Sequence, residues 1–109
     1  MILMKKIYLF CSAGMSTSLL ASNMQQLADE HNLQVEVKAF SLASIDDIYE
    51  KEHPDCILIG PQVRFVYEET KNKYSKLNTP VGLIDGNDYG TMNGANVLKL
   101  ASKLIKQGV

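Results

Sequence analysis

Four short apolar runs punctuate this chain: Ile7-Tyr8-Leu9-Phe10, Val35 to Phe40, Cys56-Ile57-Leu58-Ile59 and Val81-Gly82-Leu83-Ile84. Segments of helical periodicity separate them, and that alternation restricts the fold more than any other feature. The first and third runs are continuously apolar, the pattern of strands buried on both faces. In the second, Val35, Val37 and Ala39 alternate with Glu36, Lys38 and Phe40, the pattern of an edge strand with one wetter face. The intervening apolar positions recur at helical spacing. They are Leu20, Met24, Leu27 and Ala28; Leu42, Ile45, Ile48 and Tyr49; Val63, Val66, Tyr67 and Thr70; and Val97, Leu98, Ala101, Leu104 and Ile105, the last followed by Lys106 and Gly108 as stop signals. Alternating strands and helices predict an α/β fold of three layers, α/β/α, with a parallel sheet and right-handed crossovers. The chain has 109 residues and no linker, repeat or low-complexity segment, so a single domain over residues 1–109 is expected.

Charge and composition narrow the function. The formal net charge is −1, from 11 basic and 12 acidic residues, so the basic footprint that nucleic acid requires is missing. No apolar stretch approaches the roughly 20 residues that span a bilayer. The opening Met1-Ile2-Leu3-Met4-Lys5-Lys6 has its charge after its apolar residues, the reverse of a secretory signal. A cytoplasmic protein is expected. Cys11 and Cys56 form neither a CxxC pair nor a zinc-ligand pattern, so both are expected as free thiols.

The topology sorts the loops. Ligands in open α/β sheets bind at the carboxyl ends of the strands. The loops leaving those ends are Cys11 to Thr17, Ser41 to Ala43, Gly60 to Gln62 and Asp85 to Thr91. In the first, Cys11-Ser12-Ala13-Gly14-Met15-Ser16-Thr17-Ser18 places a thiol between a strand end and a helix start. Helix-start N–H groups and the helix dipole favour negative charge there, whether a thiolate or a phosphate carried by the sulfur. Cys11 therefore reads as a phosphoryl-accepting nucleophile, while Cys56, inside a continuous apolar run, reads as structural. Gly14 allows a close backbone approach, and Ser16 and Thr17 suit helix capping as well as phosphate contact. Met15 is expected to lie exposed beside the thiol. His31 and His53 fall at the opposite edge of the sheet as solvated residues, which removes the Cys–His pair that thiol proteases need. Asp85 is expected to cap or shape its own loop.

The spacing invites comparison with cysteine phosphatases, whose loop reads C-x5-R-S/T. Here Cys11 is followed by five residues and then Thr17-Ser18, with no arginine. That guanidinium holds phosphate bidentately and stabilises transition-state charge, so phosphomonoester hydrolysis should be poor without it. The one arginine in the chain, Arg64, follows Gly60-Pro61-Gln62. A low-molecular-weight phosphatase or arsenate-reductase relative is thus a rival reading, and a regulatory module signalling through its phosphorylation state is another.

The segment Ile7 to Leu20 resembles the active-site stretch of the enzyme IIB proteins of the lactose/cellobiose (N,N′-diacetylchitobiose) class of the bacterial sugar phosphotransferase system. Ile59-Gly60-Pro61-Gln62-Val63 resembles that family's exit from strand three. Ile84-Asp85, Tyr89-Gly90 and the helix with Gly94, Val97 and Leu98 continue the likeness over nearly the whole chain. The resemblance implies a four-stranded parallel sheet of order 2-1-3-4, like that of low-molecular-weight tyrosine phosphatases. It implies a protein-phosphohistidine–sugar phosphotransferase in which a IIA component donates to Cys11. Phosphocysteine then donates to a sugar, such as cellobiose, chitobiose or lactose, held by a membrane-embedded IIC permease. It implies no metal and no organic cofactor. Carried over by position, Cys11 is the phosphate carrier, Ser12, Ala13, Gly14, Met15, Ser16 and Thr17 form the cradle with Ser18 as a further hydroxyl donor, and Gln62 and Tyr89 are candidate neighbours. A monomer is expected, docked at the inner membrane face through IIC. One departure is Asn87-Asp88, which sets an acid beside Tyr89; a carboxylate there would oppose a phosphocysteine, so Asp88 is expected to point away.

Overall fold

The structure, a computed structural model, describes residues 4–12 and 15–108, apart from the side chain of Met15. Four parallel strands form one sheet: β1 (Lys5–Cys11), β2 (Val35–Ser41), β3 (Cys56–Ile59) and β4 (Val81–Leu83), in the order β2-β1-β3-β4. β1 pairs with β2 from Lys5–Val35 to Cys11–Ser41, and with β3 from Ile7–Cys56 to Phe10–Ile59. β4 extends the sheet beyond β3 through Ile57–Val81 to Ile59–Leu83. The helices are α1 (Met15–Glu30), α2 (Ile45–Glu52), α3 (Tyr67–Ser75), α4 (Gly86–Gly90) and α5 (Gly94–Gln107).

The two faces of the central strands bury separate cores, as the period of two along a strand requires. Ile7 and Leu9 of β1 and Cys56 and Leu58 of β3 pack against Leu20, Met24 and Ala28 of α1 and Val97 and Ala101 of α5. Tyr8, Phe10, Ile57 and Ile59 pack on the other face against Val63 and Tyr74, with Ile45, Ile48 and Tyr49 of α2 closing that layer. Gly94 lets α5 approach α1: a Cβ there would stand 3.3 Å from both Leu27 Cδ1 and the Met24 backbone nitrogen.

Three sequence expectations need correction. The Phe40 face of β2 is not simply wet. Phe40 is half-buried and stacks on Phe10, with ring centroids 5.6 Å apart, while Glu36 accepts a 2.7 Å hydrogen bond from the Tyr8 hydroxyl. An edge strand covered by a helix can hold an aromatic on either face. The helical segments starting at Leu42 and Val63 are each broken. A 3₁₀ turn, Leu42–Ser44, precedes α2, and another, Pro61–Val66, precedes α3. Val63 within the latter has non-helical angles (φ −120°, ψ 28°), so its apolar side chain reaches the core from a kink. The loop from Asp85 to Thr91 contains the short helix α4, whose start Asp85 caps by accepting from the N–H groups of Asn87 and Asp88.

Cys56 is fully buried in β3. Desolvation, aided by the charge of Asp55, pushes its thiol from an ordinary 9.0 up to about 12. The folded protein therefore holds the Cys56 proton where the unfolded chain releases it, so this contribution to stability is intact below pH 9 and is lost as pH rises towards 12. Urea unfolding at pH 8 and pH 10 should show wild-type protein losing more stability over that interval than Cys56→Ala. Equal losses would show that the buried thiol is not the source.

Candidate active site

Cys11 is the last residue of β1, and 1% of its surface is exposed. It stands between the carboxyl ends of β2 and β3, because Cys11 is in register with Ser41 and the Gly60 N–H donates to the Phe10 carbonyl at 2.9 Å. Gly60 is what makes room for the sulfur. A Cβ at that position would lie 2.6 Å from Cys11 Sγ and 3.0 Å from Cys11 Cβ. Pro61 then starts the 3₁₀ turn, where its fixed φ fits and its missing N–H is not needed. The turn carries Gln62 back to the thiol, which donates to Gln62 Oε1 at 3.0 Å. Ser12 Oγ stands further off, 3.9 Å from the sulfur.

Helix α1 begins four residues after Cys11, and its first turn contains no acidic residue. Its unpaired N–H groups and dipole are thus not neutralised by a local carboxylate. Thr17 is 3% exposed and shares a 2.9 Å hydrogen bond with the hydroxyl of Tyr89 in α4. That contact ties the first turn of α1 to the loop leaving β4. Ser16 and Ser18 are exposed, and Ser18 borders a shallow groove between α1 and β2 with Ser22, Gln25 and Phe40. Ala13 and Gly14 lie outside the described residues, as does the Met15 side chain.

Gln62 thus meets Cys11, and Tyr89 meets the first turn of α1. Asp88 accepts from Asn96 Nδ2 at 3.0 Å, which engages it with α5. Arg64 is exposed on the same 3₁₀ turn as Gln62 and forms no ion pair among the described residues. His31 follows the end of α1 and His53 ends α2, both exposed. From the sequence alone, Gly60-Pro61 reads as a plain strand-to-helix turn, which does not reveal what Gly60 does for the thiol. Its signal was a glycine directly after a fully buried strand adjacent to the cysteine strand, where a missing Cβ serves the neighbouring side chain. A hollow of about 610 Å³ between α1 and α5, lined by Leu27, His31, Leu33, Leu98, Lys99 and Lys103, lies apart from Cys11, Gln62 and Tyr89. Among the described residues no three His, Cys, Asp or Glu side chains gather as a metal site, and no helix is long and apolar enough to cross a membrane.

Residues 6–100 match the family model for the phosphotransferase system lactose/cellobiose-specific IIB subunit. The chain belongs to that family. It is similar to the galactose-specific EIIB component of Lactococcus lactis subsp. cremoris (42% identical, 93% of this chain and 96% of the relative). It is also similar to the cellobiose-specific component of Lactococcus lactis subsp. lactis (41%, with the same shares) and the oligo-beta-mannoside-specific component of Bacillus subtilis (35%, with 94% and 97%). The solution structure of the cellobiose-specific IIB component from Borrelia burgdorferi superposes with a TM-score of 0.76 at 31% identity, covering 94% of this chain and 93% of that one. The lactose-specific IIB domain of Streptococcus pneumoniae shares the fold at a TM-score of 0.80 and 20% identity, over 92% and 96% of the two chains. As an EIIB component the protein is a sugar phosphotransferase subunit of a sugar transport system, a role that implies IIA and IIC partners in general.

The Gly60–Cys11 contact yields a double-mutant test. Gly60→Ala should cost about 1–3 kcal/mol by overpacking against the sulfur. In a Cys11→Ala background the sulfur is gone and most of that cost should disappear, giving a coupling above about 0.5 kcal/mol in urea unfolding. An equal cost in both backgrounds would place the clash elsewhere.

Proposed function

We propose that Cys11 carries the phosphoryl group between a IIA phosphohistidine and a sugar held by a IIC permease. The observation that carries this reading is the buried Cys11 thiol at the carboxyl end of a central strand, cleared by Gly60 and backed by the acid-free start of α1. In the first step the sulfur attacks phosphorus in line. The S–P bond forms, the N–P bond of phosphohistidine breaks, and the thiol proton ends on the released imidazole. In the second, a sugar hydroxyl attacks, the S–P bond breaks, an O–P bond forms, and the hydroxyl proton returns to the sulfur. Positioning and preorganised N–H donors supply the catalysis. The donors are the backbone groups of residues 12–17, with Ser16 and Ser18 hydroxyls at the rim. Thr17 and Tyr89 hold the first turn of α1 in place behind them.

The position at which phosphatase loops carry arginine holds Thr17, so the Cys11 loop lacks the guanidinium fork that phosphatases use. That favours passing the group on over hydrolysing it. The relatives' names run from galactose to cellobiose to oligo-beta-mannoside within a narrow range of identity, which supports a sugar pocket on IIC rather than on this chain. A β-linked disaccharide such as cellobiose, chitobiose or lactose is the proposed substrate. The chain acts as one IIB domain, residues 1–109, monomeric and cytoplasmic at the membrane face of IIC, with no cofactor and no nucleic acid.

Incubation with phosphoenolpyruvate, the general transfer proteins and a cognate IIA should add the mass of one phosphoryl group to wild-type protein and none to Cys11→Ser. Phosphorylation of the Cys11→Ser protein to the wild-type level would sink the proposal. Wild-type protein should also show no appreciable turnover of p-nitrophenyl phosphate, and turnover at an ordinary enzymatic rate would favour a phosphatase.

A further inference from the structure

We infer that Gln62 is a catalytic residue whose carboxamide inverts between two states, accepting from the Cys11 thiol before transfer and donating to the phosphoryl group after it. This rests on the carrier reading above. In the free protein the thiol has one hydrogen to place, and Gln62 Oε1 receives it at 3.0 Å. Once the S–P bond has formed, the sulfur carries no hydrogen and the phosphoryl oxygens only accept. An oxygen aimed at them from the same position would repel. Rotation about the last side-chain bond replaces that oxygen with the two N–H donors of Nε2. Glutamine does both jobs with one planar group; glutamate keeps only the acceptor, and an apolar side chain keeps neither.

The surroundings give the amide this freedom. Gln62 is exposed, so water can serve whichever end faces away from the sulfur. Gly60 clears the amide as well as the thiol, since a Cβ there would stand 3.2 Å from Gln62 Oε1. The described side chains hydrogen-bonded to the sulfur, Ser12 and Gln62, carry no charge, and α1 has no acid in its first turn. Arg64 is the charged residue nearest to Gln62 in sequence, exposed on the same turn. Of the two described side chains that reach the sulfur, Gln62 stands nearer, at 3.0 Å against 3.9 Å for Ser12 Oγ.

The test compares wild type with Gln62→Glu and Gln62→Met, the latter close in size without polar hydrogens. The first readout is the pH–rate profile of Cys11 alkylation by iodoacetamide, which needs no partner. Gln62→Glu should slow alkylation at neutral pH about tenfold, equivalent to moving the profile up by about one pH unit, because a carboxylate beside the sulfur opposes the thiolate. The second is phosphocysteine accumulated against a phosphorylated IIA. Gln62→Met should accumulate at least about tenfold less, since a hydrogen bond to a charged group is lost, and Gln62→Glu less still. A wild-type alkylation profile in Gln62→Glu, or wild-type phosphocysteine in Gln62→Met, overturns the role of Gln62 and leaves the carrier reading standing. Wild-type protein that takes no phosphoryl group overturns the carrier reading and the amide role together.

Discussion

β1 hydrogen-bonds to β2 along one edge and to β3 along the other, and it is covered on both faces. This double pairing and double burial leave β1 no freedom to shift: a slip of one residue would exchange the two cores and drive Tyr8 and Phe10 into the layer that holds Ile7 and Leu9. Because Cys11 ends that strand, its sulfur inherits the rigidity of an element paired on both edges and buried on both faces. The helix that follows starts from a fixed point for the same reason. The proposed carrier role would benefit from such a mounting, since misplacement of about an ångström costs orders of magnitude in rate.

Three contacts convert that mounting into a site. Directly after β3 comes Gly60, whose absent Cβ leaves the sulfur its space, and from the next turn comes Gln62. From beyond β4 comes Tyr89, which reaches Thr17 in the first turn of α1. The loops after three strands thus converge on one strand end, as an open parallel sheet allows at its carboxyl edge. The far edge carries structural polar chemistry instead. There Lys6 pairs with Glu52 at 3.1 Å, and Tyr8 donates to Glu36, its phenol pushed upward by burial and by that carboxylate.

The continuous apolar runs made β1 and β3 legible as central strands, because two-sided burial leaves no position for a polar residue. The site was legible at Cys11 for a related reason: a thiol between an apolar strand and a run of small residues has few structural explanations. What escaped was tertiary. Phe40 reads as an exposed alternate residue until α2 covers that face. Val63 reads as one step of a helix, but Pro61 and the demand for a buried valine produce a kink. Gly60 reads as a turn glycine because its reason lies across the sheet, on a strand 49 positions earlier in the sequence at Cys11. No periodicity records a missing Cβ that another strand needs.

The absence of an arginine clamp has a further consequence for the proposed chemistry. A guanidinium at the phosphate would hold the group tightly in the ground state as well as at the transition state, and equal stabilisation of both adds nothing to the transfer step. A carrier passes its cargo on, so it gains from donors strong enough to orient a dianion but too weak to trap it. Backbone N–H groups at a helix start, supplemented by the neutral amide of Gln62, have that character. Neutral donors also leave the net charge near the sulfur to be set by the cargo itself. Under the proposed carrier role, loaded and empty forms would then present different electrostatic faces to IIA and IIC. A partner that prefers one form over the other supplies direction to the relay without any movement of the sheet, because differential affinity for two states is sufficient to bias them.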